Sequence, residues 1–71
     1  MKIIVLDFKS SNIESFWYED DSKMLHVRFR NESLYRYSEV PQDIFYNFME
    51  SESKGKYFNK NIRTSFKYEK V

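Results

Sequence analysis

The 71-residue chain has no cysteine and only one each of proline, glycine, tryptophan and histidine. The absence of cysteine removes disulfide staples, thiolate zinc ligands and nucleophilic thiols together, and fits a reducing compartment. A lone His26 among scattered carboxylates forms no metal-ligand cluster, and Glu19-Asp20-Asp21 lacks the spacing and glycine of a calcium loop. No cofactor motif is present. Long apolar runs are missing too: the opening hydrophobic stretch ends at Asp7, too short for a signal peptide and far too short to span a membrane. A cytoplasmic protein without membrane attachment is the expectation.

What the chain does have is rings. Aromatics make up 20%, as seven Phe, six Tyr and one Trp. A chain of this length forms one small domain, residues 1–71, that buries only about 60% of its unfolded surface. Such a domain holds no deep internal active site, so function is expected on its surface. Large rings bury much area per residue, which makes most of them structural. Charge is uneven although the net is only +1. Residues 1–52 hold six basic and ten acidic side chains, whereas residues 53–71 hold six basic and one acidic. The tail is therefore a basic segment, a pattern found in nucleic-acid contacts and also in plain solubilising termini.

Residues 2–8 (KIIVLDF) read as a strand, with Lys9 to Asn12 as the polar break after it. Residues 12–19 place Ile13, Ser15 and Trp17 on one side and Phe16 and Tyr18 on the other, so one ring-bearing face is expected to be covered. A turn follows at Glu19-Asp20-Asp21-Ser22. Residues 23–30 alternate most cleanly: Leu25, Val27 and Phe29 point one way, and Met24, His26, Arg28 and Arg30 the other. After Asn31-Glu32-Ser33, residues 34–38 set Tyr35 and Tyr37 opposite Leu34, Arg36 and Ser38. Pro41 and Asp43 favour a helix start, and residues 41–52 carry an apolar stripe of Ile44, Phe45, Phe48 and Met49. Gly55 suits a left-handed turn that ends this helix. Phe58 and Ile62 then predict one or two helical turns presenting Lys56, Asn59, Lys60 and Arg63, and residues 65–71 could add an edge strand. The fold class expected is α+β: an antiparallel meander of about four strands, one helix packed on it, and a short C-terminal helical or strand segment.

The ordered set Ser10-Ser11-Asn12-Ile13, Phe16-Trp17-Tyr18, Leu25-x-Val27-x-Phe29, Tyr35-x-Tyr37 and Val40-Pro41 resembles the KTSC domain, named for the C-terminal domain of some lysyl-tRNA synthetases. The resemblance continues through residues 53–63 (SKGKYFNKNIR), similar to that family's Ser-x-Gly-x-Tyr/Phe-Phe-Asn-x-x-Ile-Arg pattern, and covers residues 9–70. It implies a small stand-alone protein of the kind found in bacteria and phages, with RNA binding as the proposed role and no catalytic residues. One departure stands out: a glycine often found in the turn before Tyr-x-Tyr is replaced by the Asn31-Glu32-Ser33 stretch. Another is Lys54 before Gly55, which adds charge to the tail.

Ser10, Asn12 and His26 show no spacing that would activate a serine nucleophile, so no enzyme is expected. His26, alternating outward beside Arg28, reads as a solvated or phosphate-contacting side chain. Ser10-Ser11-Asn12 reads as turn chemistry and Asn59 as a residue that pins the tail. Nucleic-acid binding needs cations for phosphates and flat rings for unpaired bases. Lys54, Lys56, Lys60, Arg63 and Lys67 supply the first, with Arg28, Arg30 or Arg36 from the sheet. Tyr35 and Tyr37 supply the second if exposed, and belong to the core if the helix covers them. The candidate site is accordingly Tyr35, Arg36, Tyr37, Lys54, Lys56, Lys60 and Arg63, with RNA, tRNA or another structured RNA, as partner. The alternative is a protein-interaction module, such as a small phage or prophage protein that binds or inhibits a host or defence protein.

Overall fold

The computed structural model describes residues 2–6, as backbone, and residues 12–71. Five strands run in sequence order across one antiparallel sheet: β1 (Lys2–Leu6), β2 (Ile13–Glu19), β3 (Met24–Phe29), β4 (Leu34–Tyr37) and, after two helices, β5 (Tyr68–Lys70). The helices are α1 (Gln42–Glu50) and α2 (Lys54–Asn61). The expected α+β meander is present, and the C-terminal segment supplies both a full helix and the fifth strand. Ser10, Ser11 and the end of the first expected strand lie outside the described residues.

Alternation decides which face is buried. Leu25 pairs with Tyr18 and Tyr37, and Val27 with Phe16 and Tyr35, so these six share one face, on which the helices lie. Phe45 and Phe48 from α1, Phe58 from α2 and Ile62 at its C-cap complete the core. Phe16 stacks on Phe48 with centroids 4.0 Å apart, and Tyr18 stacks on Phe45 at 4.8 Å. The Tyr18 hydroxyl donates to the Val40 carbonyl at 2.6 Å, and the Val40 N–H donates to Lys23 O at 2.9 Å. These bonds satisfy buried polar groups at the entry to α1.

Ile13 departs from the simple alternation. It was expected beside Trp17 but is buried in the core with Phe16 and Tyr18. The register shifts between Ile13 and Ser15, and this irregularity changes the parity of the strand, turning Ile13 inward.

Gly55 also departs from expectation. It sits within the first turn of α2 without a positive φ, because serines punctuate the chain instead. Ser51 ends α1 in an extended conformation, its hydroxyl donating to Phe48 O at 2.8 Å. Ser53 caps α2, its Oγ accepting from the Lys56 N–H at 3.4 Å.

Among the described residues the left-handed positions fall on charged side chains: Lys23 (φ 56°), Glu32 (φ 72°) and Glu39 (φ 56°). In the β3–β4 turn, the Ser33 N–H donates to Asn31 Oδ1 at 3.1 Å and the Glu32 N–H to Phe29 O at 3.0 Å. The local Asx bond sustains a backbone that glycine would adopt without a Cβ penalty. Glu32→Gly should therefore stabilise the fold by about 1 kcal/mol. The check is a rise in urea midpoint at unchanged slope; a lower midpoint would show that Glu32 contributes a contact of its own.

Candidate functional site

The two faces of the sheet sort the sequence-derived site. On the face away from the helices, Trp17 pairs with His26, His26 with Arg36, and Arg36 with Glu69 in one row across four strands. Trp17 and His26 stack with centroids 4.8 Å apart and ring planes within 6°. His26 Nε2 lies 2.8 Å from Glu19 Oε1. His26 is 8% exposed, which corrects the expectation of a solvated histidine: the flanking tryptophan shields it although its strand position points away from the core. Arg36 is engaged by Glu69 on this same face. It is thereby separated from Tyr35 and Tyr37, as its parity in the strand requires.

On the helix-bearing face, β3, β4 and β5 meet the end of α2 and the following segment in an open cleft of about 930 Å³. Tyr37 and Phe58 are buried at its floor, edge to face at 5.5 Å. Phe29 meets Tyr35 at 5.5 Å and Phe58 at 5.5 Å. Tyr68 lies 5.6 Å from both Tyr35 and Tyr37 and remains 59% exposed. Phe66 adds a sixth ring. Tyr37 is 3% exposed and belongs to the core, as one of the two readings had it, whereas Tyr35 is half-buried in the cleft wall and packs against that core.

Arg30 and Arg63 line the cleft with Asn12, Asn31 and Asn59 and the hydroxyl side chains Ser33 and Thr64, and among the described residues no carboxylate does. The chain has nearly as many acidic as basic residues, so this exclusion makes the cleft a local region of positive charge. Burial pushes the Tyr37 hydroxyl up to about 12; Tyr35 and Tyr68 add to the rise, and the Arg63 guanidinium opposes it. Arg63 therefore acts electrostatically at the cleft floor while its side chain stays exposed. Its backbone is fixed by donation to Phe58 O at 2.9 Å.

The lysines are arranged around this cleft unevenly. Lys56 and Lys60 are exposed and one helical turn apart on α2, next to the cleft residue Asn59. Lys54 is tied back to the end of α1 by donation to Ser51 O at 2.6 Å. Asn59, expected to pin the tail, is exposed and lines the cleft; Asn61 makes the backbone contact, to Tyr57 O at 3.2 Å. The structure thus brings Tyr35, Tyr37 and Arg63 together and leaves Arg36 behind the sheet. Sequence reading missed Phe66 and Tyr68 as site residues. The signal for Tyr68 was its position in a final strand that could align with Tyr37.

Comparison with known proteins gives this arrangement a lineage. The family model for the KTSC domain matches residues 9–66. A lysine–tRNA ligase of Nostoc punctiforme is 35% identical over 63 residues, covering 89% of this chain and 11% of that protein. A protein of Stutzerimonas stutzeri is 36% identical over 59 residues, covering 83% of this chain and 80% of its own length. The chain thus spans about a tenth of the ligase and most of the shorter relative. The crystal structure of a KTSC domain protein from Yersinia pestis superposes with a TM-score of 0.91 at 34% identity, covering 100% of this chain and 99% of that one. With the family pattern spread from the β2 region to the segment after α2 and the whole fold shared, the chain belongs to the KTSC domain family.

Proposed function

We propose that the protein is a non-catalytic nucleic-acid-binding module whose contact surface is the aromatic cleft with the adjoining cations of α2. The observation that carries this reading is the lining itself: six rings, two arginines and no carboxylate among the described residues. Rings offer faces to bases and guanidinium groups replace phosphate counterions, so the two supplies that nucleic-acid binding needs occur in one recess. The match to a segment of a lysine–tRNA ligase supports RNA, including tRNA, as the partner class. Arg63, Arg30, Lys60 and Lys56 are the contacting cations in this reading; Arg36 is outside it, being paired with Glu69 on the far face.

With three or four cations engaged, the affinity for a labelled RNA should fall by roughly 20- to 50-fold between 50 and 200 mM salt. The combined Lys60→Ala and Arg63→Ala variant should shallow the log–log salt slope by about 1.4. Fluorescence anisotropy across a salt series reads both quantities. Binding that ignores salt, or no binding at the lowest salt, overturns the proposal.

A further inference from the structure

We infer, resting on the nucleic-acid reading above, that the cleft takes one unpaired nucleotide of a strand, with its base laid against Tyr68 and its phosphate beside Arg63. The protein would then discriminate single-stranded or looped segments from duplex.

The inference starts from Tyr68. It is the most exposed ring of the cleft, yet it is not loose: Tyr35 and Tyr37 hold it at 5.6 Å each, and β5 fixes its backbone opposite Tyr37. A ring ordered by its neighbours with much of its surface still open loses little freedom when a base stacks on it. The phosphate position follows from Arg63, whose backbone is anchored at the end of α2 and whose exposed guanidinium acts on the same recess. Asn59 adds an amide that can donate to and accept from a base edge, and Asn31, whose Oδ1 accepts from Ser33, adds an amide NH2 that can donate.

Size and shape then separate the forms of nucleic acid. The cleft volume falls within the range of small-ligand sites, about 300–1,000 Å³, and suits a nucleotide rather than the girth of a helix. Bases in a duplex keep their faces stacked on each other and present only edges, so a ring-lined recess gains nothing from them unless a base is extruded. Unpaired bases offer their faces directly. The arginines favour an anion, and among the described residues no carboxylate in the lining opposes one.

The test uses the full chain and a short fluorescein-labelled single-stranded RNA, displaced by four unlabelled competitors: the same strand, its perfect duplex, a strand with abasic positions, and AMP. The single strand should outcompete its duplex, the abasic strand and AMP, each by about tenfold or more. Tyr68→Ala should weaken single-strand binding by roughly 5- to 150-fold, the span of one base–ring stack, while Tyr68→Phe retains it. Duplex, abasic strand or AMP competing as well as the single strand would overturn this inference and leave nucleic-acid binding standing; no RNA bound at low salt would overturn both. The competition arms use the unaltered protein, so they decide the matter even if Tyr68→Ala perturbs the edge strand.

Discussion

Phe48→Ala should cost about 3–5 kcal/mol of folding stability. Phe48 is fully buried and stands where three elements meet. Its ring stacks on Phe16 of β2 at 4.0 Å, and lies 5.7 Å from Tyr57 and 6.2 Å from Phe58 of α2. Truncation would therefore leave a cavity bounded by the sheet and both helices, and relaxation of one wall would strain the others. A domain of this length has about 4–11 kcal/mol of stability in all, so the variant should lose between about a quarter and the whole of it. Urea denaturation followed by circular dichroism measures the loss. The contrast is Tyr46→Ala, between the buried Phe45 and Phe48 in sequence but on the outer side of α1 and 44% exposed, which should change stability by about 0.5 kcal/mol or less. A loss below about 1 kcal/mol for Phe48→Ala would contradict a shared core.

The same packing explains how much of the fold was legible in the sequence. Leu25 and Val27 point inward and Phe45 and Phe48 form the buried stripe of α1, as their periods require, because burial dominates wherever a face is strongly apolar. Reading failed where a local device altered the period. The register shift near Ile13 turned that residue inward, and serine caps at Ser51 and Ser53 took the task expected of Gly55. His26 was misplaced for another reason: its face was read correctly, but shielding by Trp17 comes from a neighbouring strand. The cleft was the least legible feature. Arg63, Phe66 and Tyr68 reach Tyr35 only because β5 returns to pair with β4, and three exposed residues carry little alternation from which to infer that pairing. The opposition of Arg36 to Tyr35 and Tyr37, by contrast, needed only strand parity and held.

That return of β5 onto β4 has an energetic signature in alkali. The Tyr37 hydroxyl, raised from 10.0 in the free side chain to about 12, lies within a ring cluster that includes Tyr35 and Tyr68. Below pH 10 the hydroxyl is neutral in both the folded and unfolded chain, and its contribution to stability is fully present. Between pH 10 and 12 the unfolded chain releases the proton while the folded one retains it, so stability falls by about 1.4 kcal/mol per pH unit. The loss from this group is on the order of 2 kcal/mol across the window and then levels off above pH 12. Tyr18 is raised in the same direction, by burial first and then by Asp20, Asp43 and Tyr46, and adds to the slope. Urea midpoints measured from pH 9 upward should therefore fall more steeply for the natural chain than for Tyr37→Phe, which cannot release that proton. Equal slopes in the two proteins would mean that the Tyr37 hydroxyl reaches solvent, and that the cleft floor is open to ionisation when the fold is intact.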